Sequence, residues 1–201
     1  MLSPAGVLAN YTITYNTAAF TINKAAASVT PNAASKTYGT SDPAFTCTLS
    51  GFLPGDTVTA TYSRTSGEAA GGTYTISALL SPAGALGNYT ITYNTTAFTI
   101  NKAAASVTPN AASKIYGTSD PAFTGSLSGF LPGDTVTATY SRTPGQSVGP
   151  YAISAAVAGV LTNYTITYNT APFTINKALA AVSPNAASKT YGRATPLSRA
   201  H

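Results

Sequence analysis

The chain has 201 residues, 44% hydrophobic and only 7% charged, with one Cys, one His and a formal net charge of +5. Such a composition is too apolar and too regularly patterned for a disordered linker, and a single cysteine excludes an intrachain disulfide. Lys and Arg are spaced singly, so the positive balance reflects scarce acids and not the clustered cations of a nucleic-acid site, and the absence of an 18-residue apolar run excludes a helical membrane span.

Internal repetition dominates the rest. The segment Asn10 to Tyr15 returns at Asn88 to Tyr93 and at Asn163 to Tyr168, spacings of 78 and then 75 residues. Lys24, Lys102 and Lys177 keep these offsets, as do the Tyr-Gly pairs beginning at Tyr38, Tyr116 and Tyr191. The expected domains are therefore residues 1–25 as the C-terminal part of one repeat, 26–103 and 104–178 as two full repeats, and 179–201 as the start of a further one. After Gly192 the pattern gives way to an unrelated tail ending in His201, which reads as a fragment of something longer.

In chain order, residues 1–25 offer closing strands at Tyr11 to Tyr15 and Phe20 to Ile22, whose apolar rows have no core of their own to enter. Within 26–103, an inward row Phe45, Cys47, Leu49 comes first. Val58, Ala60 and Tyr62 then alternate with Thr57, Thr59 and Thr61, Tyr74 and Ile76 with Thr73 and Thr75, and Tyr89, Ile91 and Tyr93 with Thr90 and Thr92. Period two with Thr outward predicts half-buried strands, and Phe98 and Ile100 close the unit. Gly51, Pro54-Gly55-Asp56, Gly67, Gly71-Gly72 and Pro82 to Gly87 supply turn chemistry between them. No helical period is long enough for a helix. Each repeat should be a small all-β domain of five to seven strands, near the lower size limit for an independent core.

The ordered motifs Tyr38-Gly39, Asp42-Pro43, Ser50-Gly51-Phe52, Gly55-Asp56, Gly72 to Ile76, Asn88-Tyr89 and Phe98-Thr99-Ile100 resemble the MBG domain of the YGX type. The resemblance covers both full repeats and the head of the third. It implies tandem arrays in large secreted or surface-attached bacterial proteins, and a module known mainly as a repeat, with no activity attached. For the fold, an immunoglobulin-like sandwich is favoured by the missing helix, with a β-grasp-like sheet as the alternative.

No residue set points to catalysis. A nucleophilic triad needs a base, and the sole histidine is His201 in the tail. A carboxylate pair needs two acids close in space. The first repeat offers Asp42, Asp56 and Glu68, and the second only Asp120 and Asp134, because Gln146 stands where Glu68 stood. Asp56 and Asp134 follow Pro-Gly and read as turn residues. No acid-rich loop suits calcium. Cys47, whose counterpart is Gly125, reads as a small buried thiol. The recurring aromatics, Tyr38, Phe45, Phe52, Tyr62, Tyr74, Tyr89, Tyr93 and Phe98 in the first copy, read as core before they read as a glycan-stacking face. A Lys102 to Asn amide cross-link lacks its promoting acid.

The expectation is thus a non-enzymatic spacer of a bacterial cell-surface or secreted adhesin-like protein, lying outside the cell, with no catalytic residues, metal or cofactor. Its partners are neighbouring repeats, with host glycans or proteins bound through other regions, and each unit adds roughly 30 Å to an elongated array. The alternative is that the repeats themselves bind host glycans or proteins.

Overall fold

The computed structural model describes residues 5–192, so Arg193, Arg199, His201 and the rest of the off-pattern tail lie outside the described residues. Two compact units divide at Ala103 and Ala104, with Thr162–Tyr164 grouped with the first.

The first repeat contributes β1 (Ala25–Pro31), β2 (Ala34–Thr37), β3 (Cys47–Ser50), β4 (Thr59–Arg64), β5 (Tyr74–Ser81), β6 (Tyr89–Tyr93) and β7 (Thr96–Asn101). They form a three-stranded sheet in the order β3-β1-β6 and a four-stranded sheet in the order β2-β7-β5-β4. The second repeat contributes β8 (Ala103–Pro109), β9 (Ala112–Ile115), β10 (Gly125–Ser128), β11 (Thr137–Arg142), β12 (Gly149–Ala158), β13 (Tyr164–Tyr168) and β14 (Ala171–Asn176). Its sheets follow the same orders, β10-β8-β13 and β11-β12-β14-β9. Among the described residues every sheet is built from strands of one repeat, and the α-helices are single turns at Ala5–Leu8 and Ala83–Leu86. The chain is an all-β tandem array.

Seven strands in two sheets with no helix across them is the layering of a sandwich. The strand order, however, differs from an immunoglobulin constant domain, whose first strand pairs with its second. Here the first strand pairs with the third and the sixth. β1 ends at Pro31, which has no N–H to continue a ladder, and the chain leaves the small sheet there and enters the large one at Ala34.

Alternation sorts the side chains as the sequence predicts. In β4 the residues Ala60, Tyr62 and Arg64 are half-buried while Thr59, Thr61 and Ser63 are exposed. Thr-Ser and Ser-Ser hydroxyl pairs, Thr59 with Ser81 at 2.9 Å and Ser63 with Ser77 at 3.0 Å, cover the outer face of β4 and β5. The inner face of the large sheet carries Tyr74, Ile76, Phe98 and Ile100, against which Phe45 and Tyr38 pack, and Val29 of the small sheet is fully buried. In the second unit Ile153, Ala171, Phe173 and Ile175 play that part, with Phe123, Tyr140 and Tyr151 against them. Single 3-10 turns at Pro54–Asp56 and Pro132–Asp134 begin with proline, whose fixed φ suits that first position, and each ends on a threonine in the left-handed region, Thr57 and Thr135.

The ends of each repeat are joined to one another. β1 pairs with β6 in parallel from Ala25↔Tyr89 to Val29↔Tyr93, and β2 pairs with β7 in parallel from Ala34↔Phe98 to Thr37↔Asn101. Both pairs keep one offset of 64 residues, so the run 25–37 lies alongside 89–101 in a single register that crosses from one sheet to the other. The second repeat does the same, with Ala112↔Phe173 through Ile115↔Asn176.

The same sequences elsewhere form no strand. Residues 11–15 repeat β6 letter for letter, and 187–190 repeat β2, yet neither is extended into a sheet among the described residues. Tyr11, Tyr15, Phe20 and Ile22 are 68 to 89% exposed, and Leu179, Val182 and Tyr191 are almost entirely so. The copies that do form strands, β6 and β2, each have a parallel partner alongside, β1 and β7.

Candidate functional site

The charged residues of each unit, scattered in sequence, converge at one place. Lys36 on β2 and Arg64 on β4 occupy inward positions of their strands, and both reach Asp42 in the loop after Tyr38-Gly39. Lys36 Nζ lies 2.7 Å from Asp42 Oδ1 and 2.5 Å from Glu68 Oε2. Arg64 uses all five of its N–H groups. Nε donates to Asp42 Oδ2 at 2.5 Å and Nη2 to Asp42 Oδ1 at 3.2 Å and to Glu68, while Nη1 donates to the carbonyls of Thr65 at 2.9 Å and Gly67 at 2.8 Å. Its guanidinium also lies 4.9 Å from the Phe98 ring centre and 5.6 Å from that of Tyr74. A planar fork with five donors is the one side chain able to serve a carboxylate, two carbonyls and a ring face together.

The second unit repeats the arrangement with one change. Arg142 grips Asp120 through Nε at 2.7 Å and Nη2 at 3.2 Å, donates through Nη1 to Thr143 and Gly145, and lies 4.9 Å from the Phe173 ring centre. Lys114 meets Asp120 at 2.8 Å and the amide oxygen of Gln146 at 2.6 Å. Gly67 and Gly145 permit the loop's approach: each has φ in the glycine region, and a Cβ there would fall within 2.6 Å of the Tyr74 or Tyr151 ring. An open hollow of about 580 Å3, lined by Lys114, Tyr116–Asp120 and Gln146, borders the second cluster.

The electrostatics run opposite to those of an acid–base catalyst. The Arg64 guanidinium, then Lys36, lower the Asp42 carboxyl from its ordinary 3.8 to about 2, and Arg142 with Lys114 bring Asp120 to about 2 as well. Glu68 is lowered by Lys36 and Arg64, while Lys36 and Arg64 are raised by Asp42 and Glu68. Every shift fixes the charged form, whereas a catalytic acid or base is moved toward neutrality. The cluster is a lock between β2, β4 and two loops.

Acid should open that lock. A carboxyl lowered on folding contributes stability that is complete above its unfolded pKa near 4 and lost as pH falls toward 2. Unit one holds two such carboxyls and unit two holds one, so unit one should lose more stability between pH 5 and pH 2.5. Residue-resolved melting followed by amide signals measures this, and Glu68→Gln should bring the first unit's profile to that of the second. Equal acid sensitivity of the two wild-type units would contradict it.

The other candidates separate. Asp42 and Glu68, counted in the sequence only among the first repeat's few acids, meet on Lys36 and Arg64. Asp56 accepts a hydrogen bond from the Tyr89 hydroxyl at 2.5 Å, and that hydroxyl accepts from the Leu53 N–H at 2.9 Å, so a core tyrosine holds the Pro54–Asp56 turn. Asp134 sits in the equivalent turn and is buried. Cys47, expected to be buried, is only half-buried, because β3 is an edge strand; its thiol beside the Tyr62 hydroxyl raises that phenol's pKa. At the matching Gly125, the Tyr140 ring comes within 2.5 Å of where a Cβ would stand. Lys102 is exposed, and the lysines held against acids are Lys36 and Lys114.

Of the aromatics, Tyr74, Tyr89, Phe98, Tyr164 and Phe173 are buried, and Phe45, Phe52 and Tyr62 half-buried. Tyr93 and Tyr168, at matching positions on the edge strands β6 and β13, are about half exposed, as is Tyr116. Each unit therefore shows isolated tyrosines, with its larger aromatic groups turned to the core.

Arg64 and Arg142 escaped the sequence reading although a signal was present: they continue the inward phase of Ala60-Tyr62 and Ala138-Tyr140. A charge at a core-facing position requires a partner, and the acids in the Tyr-Gly loops were the available ones. Among the described residues no group of three or more His, Cys, Asp or Glu is placed to hold a metal ion, and no helix is long and apolar enough to cross a membrane.

The family model described as MBG domain (YGX type) matches residues 27–99 and 105–174. No curated protein matches the chain.

Proposed function

We propose, since the chain belongs to the MBG domain (YGX type) family, that its two units are structural spacers in the repeat region of a large bacterial surface or secreted adhesin-like protein. Tandem MBG repeats are consistent with a repeat region of a large surface protein, and domains of this family are not known as enzymes.

The observation that carries the reading is the path of the chain through each unit. Because 25–37 and 89–101 run parallel in one register, the unit is entered beside Ala25 and left beside Asn101, at opposite ends of that run. Twelve residue steps at about 3.3 Å, broken by the step between sheets, allow those ends to stand up to roughly 40 Å apart, so each unit adds length to the chain. The lock at Asp42 and Asp120 adds rigidity without presenting a free charge, and the outer face offers mainly Thr and Ser hydroxyls. Extracellular placement belongs to the same proposal.

The competing reading, in which the repeats bind host glycans or proteins, draws first on the exposed aromatics of the repeats, Tyr93, Tyr168 and Tyr116. The full chain on a glycan array and over immobilised matrix proteins should give no saturable binding. Micromolar binding abolished by Tyr93→Ala with Tyr168→Ala, in a chain whose circular dichroism is unchanged, would replace the spacer by a binding module.

A further inference from the structure

We propose that the parallel terminal runs of each unit are a mechanical clamp, which bears tension along the chain and sets the force at which a unit opens. The inference rests on the spacer reading for its setting, but its physics comes from the strand geometry.

Tension in a tandem chain enters a unit at its first strand and leaves at its last. In the first unit it pulls on Ala25, at the start of β1, and on Asn101, at the end of β7. Since 25–37 and 89–101 are parallel and in one register, these two points are at opposite ends of the joined run, and the force acts along the strands. Ladder hydrogen bonds lie across the strands, so they are loaded in shear and must give way together. In an antiparallel terminal pair both ends would sit at one edge of the ladder, and the bonds would part singly.

Several features reinforce the run. Ala25 N–H donates to Asn88 O at 3.0 Å at its beginning, Asn94 N–H to Val29 O at 2.9 Å at the step between sheets, and Tyr38 N–H to Asn101 O at 2.8 Å at its end. The Asn94 side-chain amide ties Thr30 Oγ1 at 2.8 Å across the same step. The second unit repeats this with Asn169 to Val107 O at 3.0 Å, Asn169 to Thr108 Oγ1 at 2.8 Å and Tyr116 to Asn176 O at 2.8 Å. The step, where neither sheet's ladder continues, is thus bridged by the same asparagine in both units. The ionic lock falls on the same run: Lys36 belongs to β2, and Arg64 lies over Phe98 of β7. Sliding β2 along β7 would drag Lys36 away from Glu68 and break the contacts around Asp42.

Pulling one unit in two directions tests the clamp. In the full chain with Cys47→Ser, handles at Lys24→Cys and Lys102→Cys load the first unit in shear. Handles at Lys24→Cys and Gly87→Cys grip neighbouring ends of β1 and β6 and peel them apart. Lys24, Gly87 and Lys102 are exposed, and Gly84→Cys, with open space around it, replaces Gly87→Cys if that variant misfolds. At one loading rate in optical tweezers the shear geometry should unfold at roughly threefold higher force, because forced opening follows the unfolding barrier along the direction pulled and not the equilibrium stability. A ratio above about two supports the clamp, and a ratio at or below about two overturns it. Such a failure would leave the binding assay, and the spacer reading it tests, untouched.

Discussion

Phe173→Ala is expected to unfold the second unit while the first stays folded. Phe173 is fully buried on β14, with the Phe123 ring 5.5 Å away, the Tyr151 ring 6.4 Å away and the Arg142 guanidinium at 4.9 Å. Truncating such a residue removes the transfer free energy of the ring and leaves a cavity, a cost of about 3–5 kcal/mol. A unit of this size has a total stability of only about 4–11 kcal/mol. The loss is therefore about half of what holds the unit together at mid-range and nearly all of it at the lower end, and Arg142 would also lose the ring face beneath it. Amide signals from 104–176 should collapse in a nuclear magnetic resonance spectrum at 37 °C while those from 26–101 persist. A variant whose second unit melts within a few degrees of wild type would mean that the core is not centred on this ring.

Arg142→Ala should be nearly as damaging, for a different reason. The change leaves Asp120 with Lys114 as its remaining cation, strands the carbonyls of Thr143 and Gly145 without that donor and uncovers Phe173. Breaking a fully buried pair costs about 3–5 kcal/mol; here the Arg side chain is 6% exposed but that of Asp120 is 32% exposed, so water recovers part of the cost and about 2–3 kcal/mol is expected. For a domain this small that lowers the melting temperature by roughly 10–20 °C. Arg142→Lys should recover less than half, because an ammonium cannot hold a carboxylate in two places and two carbonyls at once. Thermal melts of the three proteins decide the matter. Full recovery by Lys would reduce the site to a simple charge pair.

Much of this architecture was legible because it is written in periods. The 78- and 75-residue spacings mark the units, and the alternation of Tyr, Ile and Ala with Thr marks the strands and their inner faces. What periodicity conveys is a side of a strand, and it says nothing of which strand lies next to it. The joining of 25–37 to 89–101 is a contact across 64 residues, and nothing local in AAASVTP or YTITY specifies it. The segments 11–15 and 187–190 make the point directly, since identical sequence without the partner alongside forms no strand. Tyr93 and Tyr168 share the inward phase of Tyr89 and Tyr164, yet lie half exposed near the ends of edge strands, because phase gives a direction and not a cover. The ionic lock was hidden for the opposite reason. Charges spaced singly resemble a solvated surface, and only the fold shows Lys36, Asp42, Arg64 and Glu68 arriving at one point.

If each unit is a spacer, its two ends must be held apart, and the distance between them is the quantity to measure. Spin labels at Lys24→Cys and Lys102→Cys in the Cys47→Ser chain, read by double electron–electron resonance, report it directly. A single narrow distribution centred between about 30 and 40 Å is the predicted result. A broad distribution, or one centred below about 20 Å, would mean that the ends of the unit are free or lie together, and would contradict a spacer built on parallel terminal runs.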